Sequence, residues 1–183
     1  MTILAKWTVN EYHRMIQVGI LQDRRVELLA GEIHEMTPEG PPHTFYGGSL
    51  ADFFRYRLGN RALVREAHPI TLADSEPEPD IAIVRGSWPN YRQRHPGPED
   101  IFLLVEISDS SLTKDLELKK SIYAAAGIQE YWVLDLTKLR LIMFRNPQRD
   151  NYQSRQEFQK GGIVPIAFPD IEISLSQLFQ VLT

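Results

Sequence analysis

The spacing of apolar positions predicts a helix, a hairpin and a second helix in the first third of the chain. Thr8 and Glu11 form a capping-box pattern, so a first amphipathic helix is expected to begin there. Two short apolar runs on either side of Ala30-Gly31 predict a β-hairpin. After a Gly-Pro-Pro sequence, apolar residues at helical spacing predict a second helix over residues 43–58.

The rest of the chain predicts a sheet. Residues 81–84 and 101–105 are apolar runs of strand length, separated by an irregular segment over 85–98. Residues 114–126 predict a helix. Further strands are predicted over residues 62–65, 70–72, 130–136, 139–144, 152–158 and 171–173, followed by a short helix over 175–182. This order predicts one α/β (α+β) domain, residues 1–183, with a mixed central sheet flanked by helices.

Composition narrows the class of protein. The 183 residues are 43% hydrophobic and 24% charged, which suffices for a globular core. Cysteine is absent, so disulfides, zinc–thiolate sites and thiol catalysis are excluded. Neither a signal-peptide pattern nor an apolar stretch of ~20 residues occurs, and a soluble, cytoplasmic protein without a membrane partner is expected. The net charge of −4 argues against tight, non-specific DNA binding without a cation, but it does not exclude a nuclease.

Two acidic residues stand at the ends of apolar strands: Asp80 precedes Ile81, and Glu106 follows Val105. Ionised groups at such positions are seldom fully buried unless they are paired or bound to a cation. Carboxylate oxygens are the ligands that Mg²⁺ prefers, so the pair predicts a divalent-cation site. The residue types leave an alternative open, in which Asp80 caps a turn and Glu106 pairs with a basic neighbour at the surface.

The helix predicted after Glu106 carries a candidate catalytic cation. Asp115, Lys119 and Tyr123 follow one another at intervals of four and therefore share a helix face. An ammonium at Lys119 would hold an attacking water or stabilise negative charge in a phosphoryl transition state. The same spacing is typical of a surface ion pair between Asp115 and Lys119, and Tyr123 fits the core better than a catalytic role.

Two further polar residues and one loop are candidates. Glu27 lies in the apolar first strand of the hairpin, where pairing with Arg25 is the simpler explanation. His43 opens the second helix, which also suits an exposed polar residue. Basic residues interleaved with aromatic ones over 85–98 suit phosphate contact and base stacking, although a mobile surface loop or an oligomer contact is the preferred explanation. The cations of this segment that could bind nucleic acid are Arg85, Arg92 and Arg94.

Other catalytic patterns are missing. The chain contains no Gly-x-Ser-x-Gly sequence, so serine-hydrolase chemistry has no support. It also contains neither Gly-x-x-x-x-Gly-Lys-Ser/Thr nor Gly-x-Gly-x-x-Gly, which removes support for a nucleotide cofactor.

Several blocks of the sequence resemble the Uma-type family of restriction-endonuclease-like proteins, within the PD-(D/E)XK nuclease superfamily. The resemblance covers nearly the whole chain and is most specific between Glu106 and Trp132. The blocks that carry it are Arg25-Val26-Glu27-Leu28, Pro79-Asp80-Ile81-Ala82, Val105-Glu106-Ile107-Ser108 and Tyr123-Ala124-Ala125-Ala126-Gly127-Ile128, with Glu130-Tyr131-Trp132-Val133-Leu134-Asp135 after them.

The resemblance implies a restriction-endonuclease-like core and a set of site residues. The acidic pair of the superfamily falls on Asp80 and Glu106. Its lysine normally stands two residues after the glutamate, where this chain has Ser108; in the Uma branch the lysine comes from the following helix, at Lys119. Two more positions of the branch match and are expected to complete the site, Glu27 and His43.

These features together predict a Mg²⁺-dependent endonuclease that acts on DNA, with Mn²⁺ as a substitute ion. Asp80, Glu106 and the Ile107 carbonyl would hold the metal. A homodimer is expected if the protein cuts both strands. The rival prediction is a catalytically inactive module that keeps the nuclease fold and binds nucleic acid or a protein partner. A third possibility is a coincidence of surface charges with no metal.

Overall fold

A computed structural model describes residues 4–179 of the chain, which are built around a six-stranded mixed sheet. Within these residues the strands, in order, are β1 (Val26–Leu29), β2 (Glu32–Glu35), β3 (Leu63–Glu66), β4 (Ile81–Val84), β5 (Ile101–Ser108), β6 (Glu130–Asp135), β7 (Arg140–Gln148), β8 (Asn151–Phe158), β9 (Gly162–Ile163) and β10 (Ile173–Ser174). The central sheet has the order β3-β4-β5-β6-β7-β8, and only the β5–β6 pair is parallel. The mixed α/β class predicted from the sequence is therefore confirmed.

Helices cover both faces of this sheet. They are α1 (Val9–Gln17), α2 (Pro41–Leu58), α3 (Leu112–Lys114), a π-helical turn (Asp115–Lys119), α4 (Lys120–Ala125) and α5 (Leu175–Phe179). The capping box predicted at Thr8 and Glu11 is present at the start of α1. The stretch from α3 to α4 is the crossover that a parallel pair of strands requires between β5 and β6.

Strand alternation distributes the core between the two faces. In β5, Val105 and Ile107 pack with α2 and α5 on one face, whereas Leu104 packs with α4 on the other. Glu106 points to the same side as Leu104, so its carboxylate is directed towards the crossover helices. Every residue of β4 is buried, so the strand that precedes the cleft and begins after Asp80 is packed on both faces.

The antiparallel pairing of β4 and β5 decides which residues meet. Ile81 at the start of β4 pairs with Val105 near the end of β5. Asp80 precedes Ile81 and Glu106 follows Val105. The two acidic residues therefore lie side by side at the same end of the paired strands. Residues 85–100 connect the other ends of strands β4 and β5 and lie at that opposite end of the sheet.

Some sequence expectations need correction. Residues 70–72 form no strand in the described structure; Ile70 and Leu72 instead bond to the backbone of their own turn, at Pro77 and Ser75. Their side chains are nevertheless buried, which explains the strand-like pattern. Strand β7 runs further than predicted, to Gln148. The strand predicted over residues 171–173 is observed as the two-residue β10, Ile173–Ser174, and its partner β9 was not predicted.

The last predicted helix is described as α5, and its expected residues 180–182 lie outside the described range. Among residues 4–179, no helix combines the length and the apolar character needed to cross a bilayer.

Candidate active site in an acidic cleft

A cleft of about 270 Å³ opens at the end of the sheet where strand β4 begins and strand β5 finishes. Its walls come from the β1–β2 hairpin, the start of α2 and the crossover helices. The five residues predicted to be catalytic all line it: Glu27, His43, Asp80, Glu106 and Lys119. Residues far apart in the sequence are thus brought to one place, while their chemical roles remain predictions.

Asp80 is held at the cleft floor by the neighbouring strand. Its Oδ2 accepts a hydrogen bond from the Ile107 backbone N–H at 2.6 Å and lies 3.1 Å from Nε2 of His43. The N–H and C=O groups of one residue in an extended strand point to the same side. The Ile107 carbonyl is therefore directed to the side of the strand on which Asp80 lies.

Glu106 is almost completely buried, yet it keeps one oxygen free. Its Oε1 accepts hydrogen bonds from Lys119 Nζ at 2.9 Å and from the Tyr123 hydroxyl at 2.8 Å. Its Oε2 accepts none from any residue in the described range. Burial raises the pKa of Glu106 well above its usual value, against the opposing effect of Lys119. A cation that reached Oε2 would stabilise the ionised form.

Glu27 anchors two lysines in the interior. It is fully buried, with Lys114 Nζ at 3.0 Å from Oε1 and Lys119 Nζ at 3.2 Å from Oε2. Burial acts to raise the pKa of Glu27, but the two ammonium groups outweigh it and the pKa is lowered. Pairing with Arg25, the alternative considered above, is wrong, because Arg25 lies 3.9 Å from Glu39 instead.

The π-helical turn explains how both lysines reach one carboxylate. A helix over residues 114–126 was predicted, but the helical stretch starts at Leu112 and contains a π turn over Asp115–Lys119. In a π turn the hydrogen bond closes from i to i+5, so residues five apart come close to one line. Lys114 and Lys119 are five apart, and they would diverge on a regular α-helix.

Asp115, the first residue of this turn, is buried, so the surface ion pair considered for it is wrong. Its Oδ2 accepts hydrogen bonds from the hydroxyls of Ser108 at 2.7 Å and Ser111 at 2.5 Å. Its Oδ1 is buried and has no hydrogen-bond partner within the described part of the chain. Burial raises the pKa of Asp115, and Lys119 opposes that shift. An unpartnered buried carboxylate oxygen is costly unless a ligand approaches it.

His43 lies between two carboxylates at the first turn of α2. Nε2 faces Asp80, and Nδ1 lies 3.4 Å from Oε2 of Glu39. Burial alone would lower the pKa of His43, but Asp80 and Glu39 outweigh it and the pKa is raised. One ligand atom from each of these three residues lies within 4.8 Å of the other two. Glu39 was not among the site residues predicted from the sequence. Its position four residues before His43 is the feature of the sequence that could have indicated the contact.

The donor set of the cleft fits a hard divalent cation. Asp80, Glu106 and Asp115 offer carboxylate oxygens, and two of these, Glu106 Oε2 and Asp115 Oδ1, lack a hydrogen-bond donor among the described residues. Carboxylates, a backbone carbonyl and water form the usual environment of Mg²⁺, and Mn²⁺ also accepts imidazole. The cleft therefore offers oxygens that suit the predicted metal. Among residues 4–179, however, the group of three potential ligands whose atoms lie within 4.8 Å of one another is Glu39, His43 and Asp80, and Glu106 is not part of it.

The three arginines predicted to bind nucleic acid lie in the segment that connects β4 to β5, at the end of these strands away from the cleft. Arg94 pairs with Asp100 at 2.5 Å, and Arg85 stacks over the Phe102 ring at 4.4 Å. Arg92 is exposed. Two of these cations are thus engaged within the protein, and contact of this loop with nucleic acid stays a prediction.

Comparisons with known proteins agree with this architecture. Residues 9–176 match the family model Uma2, which is described as "Putative restriction endonuclease". Among solved structures, the chain is similar to "a putative nuclease belonging to DUF820 from Anabaena variabilis ATCC 29413", with a TM-score of 0.69 and 16% identity over 86% of this chain and 91% of that one. At this identity the likeness concerns the fold. No curated protein matches the chain.

Proposed function

Because the chain belongs to the Uma2 family, we propose that it is a Mg²⁺-dependent endonuclease that hydrolyses phosphodiester bonds of DNA. The observation that carries the proposal is the convergence of Asp80, Glu106 and Lys119 at one edge of the sheet. The fold and the family support a nuclease. The metal dependence rests on the chemistry of the cleft, and DNA as the substrate rests on the restriction activity named in the family's description.

Asp80, Glu106 and the Ile107 carbonyl would hold the metal, with Mn²⁺ able to replace Mg²⁺. When bound, the ion would polarise the scissile phosphate and lower the pKa of a coordinated water. His43 steers the Asp80 carboxylate through its 3.1 Å contact, just as Tyr123 fixes the Glu106 carboxylate by donating to Oε1. Both ligands are thereby held in one orientation, which lowers the cost of ordering them on binding.

Lys119 is the proposed catalytic cation. Burial alone would lower its pKa, but Glu106 and Glu27 outweigh that effect and the pKa is raised, so the side chain stays an ammonium. A fixed positive charge at this position would stabilise the negative charge that develops on the phosphoryl group, or would orient the attacking water. Glu27 fixes the Lys119 ammonium from within the protein.

Lys114 supplies the outer cation of the cleft. Its side chain is about a third exposed, whereas that of Lys119 is almost wholly buried. An ammonium at the mouth of an otherwise acidic cleft would offset the repulsion between the carboxylates and a phosphodiester. Concerted cleavage of both strands, one strand per site, favours a second copy, so a homodimer is part of the proposal.

A catalytically inactive module with this fold is the second candidate function. The hydrogen bonds of Glu106 favour this function. Its carboxylate already accepts hydrogen bonds from Lys119 and Tyr123, and its pKa is raised. A protonated carboxyl binds cations poorly. Such a protein would bind nucleic acid or a protein partner without turnover.

Labelled DNA and RNA oligonucleotides of the same sequence, incubated with Mg²⁺, Mn²⁺ or EDTA, separate these functions. The proposal predicts metal-dependent cleavage of DNA that exceeds cleavage of RNA. Binding without cleavage in any metal would favour the inactive module. Calorimetric titration of both ions into the protein, with the Asp80→Asn variant as control, detects the metal independently of turnover.

A further inference from the structure

A buried arginine on β3, the outermost strand of the central sheet, lacks an acidic partner among the described residues. Arg65, on β3, is only 5% exposed. Its sole hydrogen bond with another described residue is a weak one, from NH2 to the Pro69 carbonyl at 3.3 Å, and its Nε is buried without a partner. Desolvation lowers the pKa of Arg65, and no carboxylate opposes that shift. A buried guanidinium in such a position lacks a compensating anion.

Two aromatic rings frame this guanidinium. Its central carbon lies 5.4 Å from the centroid of the Trp88 ring and 5.5 Å from that of Tyr91. Trp88 is 53% exposed as a residue, and His68 packs edge-on against its ring at 5.8 Å. The Trp88 ring thus packs against the Arg65 guanidinium while about half of the residue stays exposed to solvent. It therefore offers a flat aromatic face, here called the platform, on which another ring can stack.

A groove of about 660 Å³ continues from Tyr91 along Arg92 to His95. Arg92 is exposed on its wall. Burial lowers the pKa of His95; Glu76 opposes that shift, and the positive charge of Arg65 adds to it. The platform is thus continuous with a groove into which Arg92 brings an exposed cation and Glu99 a carboxylate. We name the five residues Arg65, His68, Trp88, Tyr91 and Arg92 the Trp88 surface.

The Trp88 surface lies on the same face of the sheet as the proposed metal ligand Glu106. Arg65 pairs with Ala82, and Ala82 pairs with Leu104, so the three side chains form one row. Glu106 is two residues beyond Leu104 on that face. Two strand spacings and two residues correspond to roughly 12 Å between the Cα atoms of Arg65 and Glu106. A nucleic-acid strand of a few nucleotides is long enough to reach both.

We propose that the Trp88 surface binds an unpaired strand of nucleic acid, with a base stacked on Trp88 and the neighbouring phosphates in the groove beside Arg92. Exposed rings combined with cations are the usual means of holding single strands, because every base has a face to stack. Duplex bases are already stacked on one another, so the surface selects single-stranded ends or flaps. This inference rests on the proposed nuclease function and adds a substrate preference to it.

Fluorescence anisotropy in EDTA tests the inference without any need for cleavage. The probes are a labelled single-stranded DNA of about 15 nucleotides and the matching duplex. We expect Trp88→Ala to bind the single strand roughly tenfold more weakly and Trp88→Phe to retain most of the binding. Trp7→Ala is the matched control, because Trp7 is 45% exposed and lies outside the surface. Arg92→Ala should weaken single-strand binding and reduce its salt dependence.

The outcomes separate this inference from the proposed function. Failure of the wild-type protein to bind the single strand, or unchanged binding by a folded Trp88→Ala variant, overturns the inference even if the protein cleaves DNA. Equal losses for duplex and single strand overturn it as well. Selective loss of single-strand binding supports it even if no metal yields cleavage. Circular-dichroism melting of each variant shows whether it is folded.

Discussion

The ammonium of Lys119 lies 2.9 Å from Oε1 of Glu106, and both side chains are buried. The lysine occupies one oxygen of the carboxylate and leaves the other available to the cleft. Glu106 can therefore hold the Lys119 ammonium and still offer an oxygen to the proposed metal. This arrangement also explains how Lys119, from the crossover helix, reaches the strand end at which Ser108 stands in place of the usual lysine.

Replacement of Glu106 by glutamine tests its role as a metal ligand. The amide preserves the volume but removes the charge, while Glu27 continues to pair with Lys119. We expect metal-dependent cleavage to fall at least about 100-fold, since even residues behind the ligands cost up to that much. The rate is measured on labelled DNA, and a thermal melt checks the fold. Undiminished cleavage would exclude Glu106 from the metal site.

Removal of the Lys119 charge should destabilise the protein. In Lys119→Met, Glu27 and Glu106 lose a buried partner, and breaking such a pair costs about 3–5 kcal/mol of unfolding free energy. Urea unfolding at neutral pH measures the change. Lys120→Met is the matched control, because Lys120 is the next residue and does not line the cleft. Equal stability of the two variants would contradict the buried network.

His43 should give the stability of the metal-free protein a pH dependence. Its pKa is raised above the ordinary value of 6.5 because Asp80 and Glu39 outweigh the opposing effect of burial. A raised folded pKa stabilises the fold fully below pH 6.5, and the contribution disappears as the pH rises through the folded value. The stability difference between wild type and His43→Asn should therefore be largest in acid and shrink towards alkaline pH. Urea unfolding in EDTA across this range measures it, and a difference that grows with pH would be inconsistent with the charged pair.

Much of the site was predictable because its residues occupy ends of strongly patterned elements. Asp80 and Glu106 border continuous apolar strands, and the antiparallel register of those strands brings them together. The turn and strand signals also sufficed for the hairpin and for most of the central sheet.

The parts that escaped prediction depend on contacts between distant segments. The i to i+4 spacing of Asp115 and Lys119 indicated a surface pair, because spacing does not reveal that a π turn buries both residues. Glu39 precedes its helix and acquires significance only when Asp80 arrives from another part of the chain. The strand expected at residues 70–72 failed for a different, local reason: the backbone N–H groups of Ile70 and Leu72 bond within their own turn, to Pro77 and Ser75.

Binding of a divalent cation should stabilise the folded protein. A ligand present at about 100 times its dissociation constant adds about 2.7 kcal/mol of unfolding free energy. We therefore expect Mn²⁺ to raise the melting temperature of the wild type and EDTA to reverse the rise. Asp80→Asn, which loses the charge but keeps a similar shape, should show little response. A rise of the same size in both proteins would place the ion outside the cleft.

Incubation of the purified protein with supercoiled plasmid and Mg²⁺ or Mn²⁺ tests the central claim most directly. The Asp80→Ala variant and an EDTA sample are assayed beside it. The account predicts nicked or linear plasmid with the wild-type protein and intact plasmid in both controls. Cleavage that persists in EDTA, or at the wild-type rate in a folded Asp80→Ala variant, would contradict a metal-dependent nuclease centred on this cleft.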